Sequence, residues 1–135
     1  MAAQPFNGIS AHLCVDGGAK AIAFYEKAFG AEVVMKNFLD DGQLMHASLI
    51  INGGLVMLCD DLWGGEGSWR APTRANGVST VVHIEAANAD RVWDRAVAAG
   101  CTIDMPLEDQ FWGQRYGKLK DPFGHIWSVG GPPKS

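Results

Sequence analysis

The sequence lacks runs of positive charge and long apolar segments. Its 135 residues include 11 basic and 15 acidic side chains, for a formal net charge of −4, and the basic ones form no cluster. Nucleic-acid binding, which needs a basic patch, is therefore not expected. No apolar run approaches the ~20 residues that cross a bilayer, so membrane association is not expected either. The hydrophobic content of 47% suits one compact domain over residues 1–135.

Cysteine is scarce, and the common catalytic motifs are missing. Cys14, Cys59 and Cys101 are odd in number and form no CxxC pair, which favours neither a disulfide framework nor a zinc knuckle. Cys14 and Cys59 lie in apolar runs that predict buried thiols. Together with an N-terminal stretch that has no signal-peptide features, this predicts a cytoplasmic protein. The sequence contains no GxSxG, GxGxxG or P-loop motif, so neither a nucleophile elbow nor a nucleotide site is indicated.

What the sequence does contain is an internal repeat. Gly8-Ile9-Ser10 returns as Gly77-Val78-Ser79, and Gly30 returns as Gly100. Each copy reads as a strand, a helix, a glycine that suits the helix C-terminus, and further strands. A repeat of this length predicts two half-domains rather than a solenoid, which needs at least three short units.

Each copy contains one amphipathic helical pattern, followed by three predicted strands. Apolar residues recur every three or four positions, at Ile22, Tyr25 and Phe29 and again at Ala89, Trp93 and Ala96. Asn88 is a suitable N-cap for the second helix. The strands are expected near 32–39, 43–51 and 55–60 and near 101–106, 114–120 and 125–129. We therefore predict an α+β fold of two βαβββ modules, at 8–60 and 77–130, whose curved mixed sheet surrounds a concave cavity.

The segment 61–76 connects the two modules. It is rich in glycine and carries Trp63 and Trp69. A connecting loop explains the glycines, but large exposed aromatic side chains usually need something to cover them. Both tryptophans are therefore candidate ligand contacts.

Three stretches carry a family resemblance over residues 8–130. They are AIAFYEKAFGAE, MHASLIINGGLVMLCDD and LEDQFWGQRYGKLKDPFGHIWSV. These resemble the vicinal-oxygen-chelate superfamily, which includes glyoxalase I, bleomycin-resistance proteins and dioxygenases, and more narrowly its PhnB-like branch. The resemblance implies the paired-module fold, a cavity site and a homodimer. It does not imply one reaction, because this superfamily contains both enzymes and non-catalytic drug binders.

Metal-using relatives bind one divalent ion through His, Gln or Glu at four positions. The resemblance carries those positions onto Ser10, Met57, Ser79 and Ser128. A serine hydroxyl is a weak ligand and a thioether favours soft ions such as Cu(I). We therefore expect no metal cofactor at this place. One divalent ion at a displaced, histidine-based site is the alternative.

Strand alternation places three histidines near those positions. His12 has the parity of Ser10, His83 that of Ser79, and the predicted hairpin puts His46 on the face of Met57. All three histidines are expected to line the cavity, whereas His125 has the opposite parity to Ser128 and is not. They could be hydrogen-bonded wall residues. They could instead bind a polar or anionic ligand or transfer a proton, or they could form a displaced metal site.

The segment before the last hairpin supplies further candidates. Phe111 and Trp112 could pack in the core or stack on a flat ligand. If Lys120 pairs with His125, then Arg115 shares the inward face and could bind a carboxylate or phosphate bidentately. An ion pair of Arg115 with Glu108 or Asp109 is the alternative.

Three classes of function follow. The first is a binding protein that holds a small molecule in the cavity without the usual metal, for instance by sequestering an antibiotic or a metabolite. The second is an enzyme of lyase, isomerase or dioxygenase type, using a displaced metal site or a histidine general base. The third is a dimerisation module whose cavity is filled.

Overall fold

A computed structural model describes residues 8–62 and 68–135. Within these residues the fold comprises eight strands and three helices. In chain order they are β1 (Ala11–Val15), α1 (Gly18–Phe29), β2 (Glu32–Phe38), β3 (Leu44–Ile51), β4 (Gly54–Asp60), α2 (Pro72–Ala75), β5 (Val81–Glu85), α3 (Ala89–Ala99), β6 (Thr102–Asp109), β7 (Arg115–Lys120) and β8 (Ile126–Gly131). The short helix α2 lies in the connecting segment and was not predicted.

The strands form two sheets with the same topology. The orders are β1-β4-β3-β2 and β5-β8-β7-β6. In each sheet the strand that comes first in the chain is parallel to its neighbour that comes last, β1 to β4 and β5 to β8. The other neighbouring strands are antiparallel. The predicted α+β fold of two tandem βαβββ modules is thus confirmed.

Glycine and asparagine delimit several elements where the sequence predicted turns. Helix α1 ends at Gly30, whose φ of 66° is left-handed, and α3 begins at Asn88, whose side chain accepts a hydrogen bond from the Arg91 N–H. The β3–β4 hairpin turns through Asn52 and Gly53, both with positive φ, as a two-residue turn of this hand requires.

The core lies between the sheets and the two long helices, and α1 packs against α3. The ring of Trp127 lies 4.6 Å from that of Phe29 and 5.4 Å from that of Tyr25, centroid to centroid. Trp127 comes from β8 and the other two from α1, so one aromatic cluster joins the two modules. Trp93 on α3 is buried too, as its place on the apolar stripe predicted.

The register of the last hairpin differs from the prediction by one residue. Lys120 pairs with Ile126 rather than with His125, and Ser128 lies opposite Lys118 rather than Gly117. The reason is the turn, in which Asp121 and His125 close a three-residue loop whose last member, Gly124, has a φ of 90°. A one-residue shift moves every side chain of the strand to the other face.

All three cysteines are buried and unpaired, as predicted for Cys14 and Cys59. Burial, reinforced by the neighbouring Cys59, raises the pKa of the Cys14 thiol to about 12. Among the described residues, no helix is long and apolar enough to span a membrane.

Candidate functional site

The face of the first sheet that is turned away from α1 holds two of the predicted histidines. His12 on β1 and Ser48 on β3 both lie opposite Met57 on the central strand β4. His46 shares this face, and its Nε2 lies 3.0 Å from the Ser48 hydroxyl oxygen. The two imidazole rings are 5.5 Å apart, centroid to centroid. The alternation of side chains along the strands thus puts His12, His46 and Met57 together.

A cavity of about 680 Å³ opens beside His12. It lies between β1, the segment 68–80 and the start of β5, and its wall includes His12, Trp69, Arg70, Asn76, Ser79 and His125. The Trp69 ring packs edge-on against the imidazole of His12, with centroids 4.8 Å apart, and remains 41% exposed. The volume lies within the range of small-molecule sites.

Electrostatics keep His12 neutral near pH 7. Burial, with a smaller contribution from the charge of His46, lowers the pKa of His12. A neutral imidazole has one N–H donor and one ring nitrogen that accepts, so His12 can form hydrogen bonds of either kind with a ligand.

His125 contradicts the sequence-based expectation. Its parity was expected to keep it out of the cavity, yet it forms part of this wall. The Nε2 of His125 hydrogen-bonds the backbone carbonyl oxygen of Cys14 at 2.8 Å. The cavity extends over the edge of β1 rather than only over a sheet face, so strand parity does not decide which residues line it.

His83 belongs to a separate cluster on the second sheet. Its Nδ1 lies 2.7 Å from the Ser128 hydroxyl and its Nε2 lies 2.8 Å from a carboxylate oxygen of Glu85. Gln114 donates to the same Glu85 oxygen at 2.9 Å, and Tyr116 stacks on the imidazole. The expectation that three histidines line one cavity is therefore not met within the chain, because His12 and His46 lie on the other sheet.

Arg115 faces the helix side of its sheet, so the predicted inward orientation was wrong. Its guanidinium contacts Asp90 on α3 at 2.9 Å and Asp109 at 3.1 Å. The alternative of an ion pair holds for Asp109, whereas Asp90 was not anticipated. Hydrogen bonds from Arg115 lower the pKa of Asp90. With its donors used in this way, Arg115 is a structural residue of the α3–β7 contact.

The aromatic candidates lie in different places. Phe111 and Trp112 form the tip of the β6–β7 hairpin and are 97% and 50% exposed, so neither is a core residue. Trp112 contacts Tyr116, with centroids 5.9 Å apart, and so extends the His83 cluster toward the tip. Trp63 lies outside the described residues.

The four positions that hold a metal in relatives do not form a ligand set here. Ser128 is buried and bonded to His83, while Ser79 lines the cavity beside β5. Met57 lies on β4 of the first sheet, and Ser10 lies immediately before β1. In the described part of the chain, no three His, Cys, Asp or Glu side chains form a group that could hold an ion. These residues do not fit a divalent metal, which prefers imidazole and carboxylate ligands.

Two tandem βαβββ modules, each forming one four-stranded mixed sheet, define a paired-module class of fold. The chain belongs to the Glyoxalase/Bleomycin resistance protein/Dioxygenase superfamily, whose family model matches residues 9–129.

Two relatives illustrate the range of sequence similarity. Mb0911c of Mycobacterium bovis, an uncharacterised protein, is 46% identical over 127 residues, which cover 92% of this chain and 82% of that protein. YjdN of Escherichia coli is 26% identical over 129 residues and is covered to 84% of its length.

Among solved structures, TioX from Micromonospora sp. ML1 matches with a TM-score of 0.73 and 25% identity, covering 94% of this chain and 99% of TioX. The PhnB protein from Bacillus cereus matches with a TM-score of 0.70 and 21% identity, covering 93% of this chain and 99% of its own. The fosfomycin resistance protein FosX from Listeria monocytogenes matches with a TM-score of 0.67 and 16% identity over 96% of both chains. The last two show the fold alone.

Proposed function

We propose that this protein binds a small molecule in the cavity beside His12 without using a metal ion. The observation that carries the proposal is the contact of the Trp69 ring with the His12 imidazole at the wall of a cavity of about 680 Å³. Trp69 supplies a large apolar surface, and His12 supplies a neutral hydrogen-bonding group beside it. Sites for small molecules combine these two elements. Sequestration of an antibiotic or a metabolite is the form of binding that we favour.

The proposal includes a homodimer in the cytoplasm. Several large apolar side chains stay exposed, among them Met45 at 51% and Ile103 at 54%. Exposed apolar side chains of this size are common at protein interfaces when they are contiguous. The family resemblance of the sequence motivates the dimer, and three buried cysteines without a disulfide motivate the compartment.

The proposal predicts that Trp69→Ala weakens ligand binding about five- to 150-fold, because a flat aromatic ligand loses a stacking surface worth roughly 1–3 kcal/mol. Bleomycin, 2-naphthoate and 2-naphthamide are titrated into the wild type and the variant, with isothermal calorimetry as the readout. Asp94→Ala, at an exposed position on α3, is the control and should leave binding unchanged. Equal affinities of the wild type and Trp69→Ala for every bound compound would contradict the proposed site.

A second candidate function is metal-free acid–base catalysis at His83. Glu85 accepts from His83 Nε2, which leaves Nδ1 to accept the proton of the Ser128 hydroxyl. A carboxylate in this place orients the imidazole and fixes its tautomer, as the third group of an acid–base site does. The substrate would lie on the second sheet, against Tyr116, in a reaction of lyase or isomerase type.

This candidate predicts that the protein catalyses exchange of a carbon-bound proton and that His83→Gln lowers the rate at least about a hundredfold, the usual contribution of a general base. Deuterium incorporation into pyruvate in D₂O, followed by NMR, is a direct measurement. Trp69→Ala should leave this rate unaltered, because Trp69 packs against His12 on the other sheet. An exchange rate equal to that of buffer would rule out this activity on 2-oxo acids.

A further inference from the structure

Arg70 is a half-buried cation of the cavity wall that the sequence did not single out. It follows Trp69 directly, between that ring and the short helix α2. Its Nε is buried and has no hydrogen-bond partner among the described residues. Within the same residues, no carboxylate oxygen lies within 4.0 Å of its guanidinium. By contrast, Arg74, Arg115 and Lys134 each have a carboxylate oxygen within that distance.

Two other arginines have partners for their guanidinium groups. Arg115 pairs with Asp90 and Asp109, and Arg95 donates to the carbonyl oxygens of Lys27 and Glu26. A guanidinium donor that is withdrawn from water and left unpaired loses its hydration without compensation. An anion that enters the cavity would supply the missing acceptor.

The cavity wall suits an anion. Its described lining contains the cation Arg70 and no aspartate or glutamate, while His12, Asn76 and Ser79 are neutral hydrogen-bonding groups. A planar guanidinium binds the two oxygens of a carboxylate through parallel hydrogen bonds. The adjacent Trp69 ring offers a surface on which the flat part of a ligand can lie.

We propose that the ligand of this cavity is a flat carboxylate and that Arg70 binds its carboxylate group. The inference rests on the proposed function of the cavity and specifies the chemical class of its ligand. An aromatic carboxylate meets both requirements, because its ring packs on Trp69 while its two oxygens reach Arg70. The competing internal acceptor is Asp61, one of whose buried oxygens, Oδ1, also has no partner among the described residues.

Three probes test the class of ligand. 2-Naphthoate, its neutral isostere 2-naphthamide and phenylphosphonate are titrated into the full-length protein, and the shift of the Trp69 indole Nε1–H resonance, assigned with Trp69→Phe, is followed by NMR. The wild type should bind 2-naphthoate at least about tenfold more tightly than 2-naphthamide, since a hydrogen bond to a charged group typically contributes that factor or more. Phenylphosphonate binding as tightly as 2-naphthoate would show that Arg70 selects tetrahedral oxyanions as well and would overturn the restriction to carboxylates.

Variants then assign the selectivity to Arg70. Arg70→Gln should bind 2-naphthamide as the wild type does and should lose the preference for 2-naphthoate, while Arg70→Lys should keep part of it because a point charge lacks the planar fork. Arg91→Gln, which removes an exposed arginine of α3, is the matched control and should keep the full preference. Thermal melts of each variant verify that the fold is retained.

Besides the phenylphosphonate result, three further results would overturn the inference, and they are distinguishable. Equal affinity of the wild type for the acid and the amide would remove the anion preference and leave the binding function intact. No binding of any probe would contradict the proposed function and the inference with it. Equal weakening of both naphthalenes by Arg70→Gln, accompanied by a lower melting temperature that Asp61→Asn reproduces, would make Arg70 a structural partner of Asp61.

Discussion

Replacing Asp121 with alanine is expected to lower the free energy of unfolding by about 4 kcal/mol, because four donors, in three buried hydrogen bonds and one partly buried one, would lose one charged acceptor. One oxygen, Oδ1, accepts from the backbone N–H groups of Phe123 and His125 at 2.8 and 3.0 Å. The other, Oδ2, accepts from the Tyr25 hydroxyl at 2.5 Å and the Trp127 indole N–H at 2.9 Å. Urea denaturation followed by circular dichroism measures the loss.

Two companion variants separate the contributions to this cost. Tyr25→Phe removes one of the four hydrogen bonds and should cost only about 1–2 kcal/mol. Asp94→Ala, at an exposed position on α3, should change stability by less than about 0.5 kcal/mol. A loss below about 1.5 kcal/mol for Asp121→Ala would mean that water replaces the carboxylate, and the account of this turn would be wrong.

The second large effect is expected at Asp60, where alanine should cost about 3 kcal/mol. The carboxylate of Asp60 accepts from the N–H groups of Gly17 and Gly18 at 2.9 and 2.8 Å, at the start of α1. It also accepts from the N–H of Leu44 at 2.7 Å, where β3 begins. Asp60 therefore fixes the first turn of a helix to the end of one strand and the start of another. Thermal and urea unfolding of Asp60→Ala provide the measurement.

Asp60→Asn refines this prediction. An asparagine keeps one acceptor oxygen but turns an N–H₂ group toward a backbone donor, so it should recover only part of the loss. Asp41→Ala is the matched control, since Asp41 also accepts from a backbone N–H, that of Gln43, but in an exposed turn. A cost for Asp41→Ala equal to that of Asp60→Ala would show that burial does not set the magnitude.

Asp60 and Asp121 have similar roles in the two modules, although they are not counterparts in the repeat, because Asp60 ends β4 and Asp121 follows β7, the counterpart of β3. Each lies at the end of a strand, and each carboxylate binds donors that are distant in sequence. Asp121 connects its own turn to α1 of the first module, because the Tyr25 hydroxyl reaches it across 96 positions. The turn at residues 121–124 therefore contributes to the packing of the two modules as well as to the last hairpin.

The sequence determined the architecture because the architecture depends on local rules. Glycine at helix ends, the 3–4 residue apolar period and Asn-Gly at a hairpin each constrain a few neighbouring residues, and the repeat shows that they occur twice. Strand alternation, which is equally local, grouped His12, His46 and Met57 correctly.

The tertiary structure decided what lies beyond such rules. The three-residue loop after Asp121 set the register that turned Arg115 toward Asp90, although the two are 25 positions apart in sequence. His83 and Ser128, 45 positions apart, became hydrogen-bonded because β5 and β8 are neighbours. Arg70 gave no signal in the sequence, since what distinguishes it is a buried Nε that has no acceptor among residues 8–62 and 68–135. Burial and the distances between remote segments arise only when the chain packs, and these decide which polar groups are satisfied and which remain for a ligand.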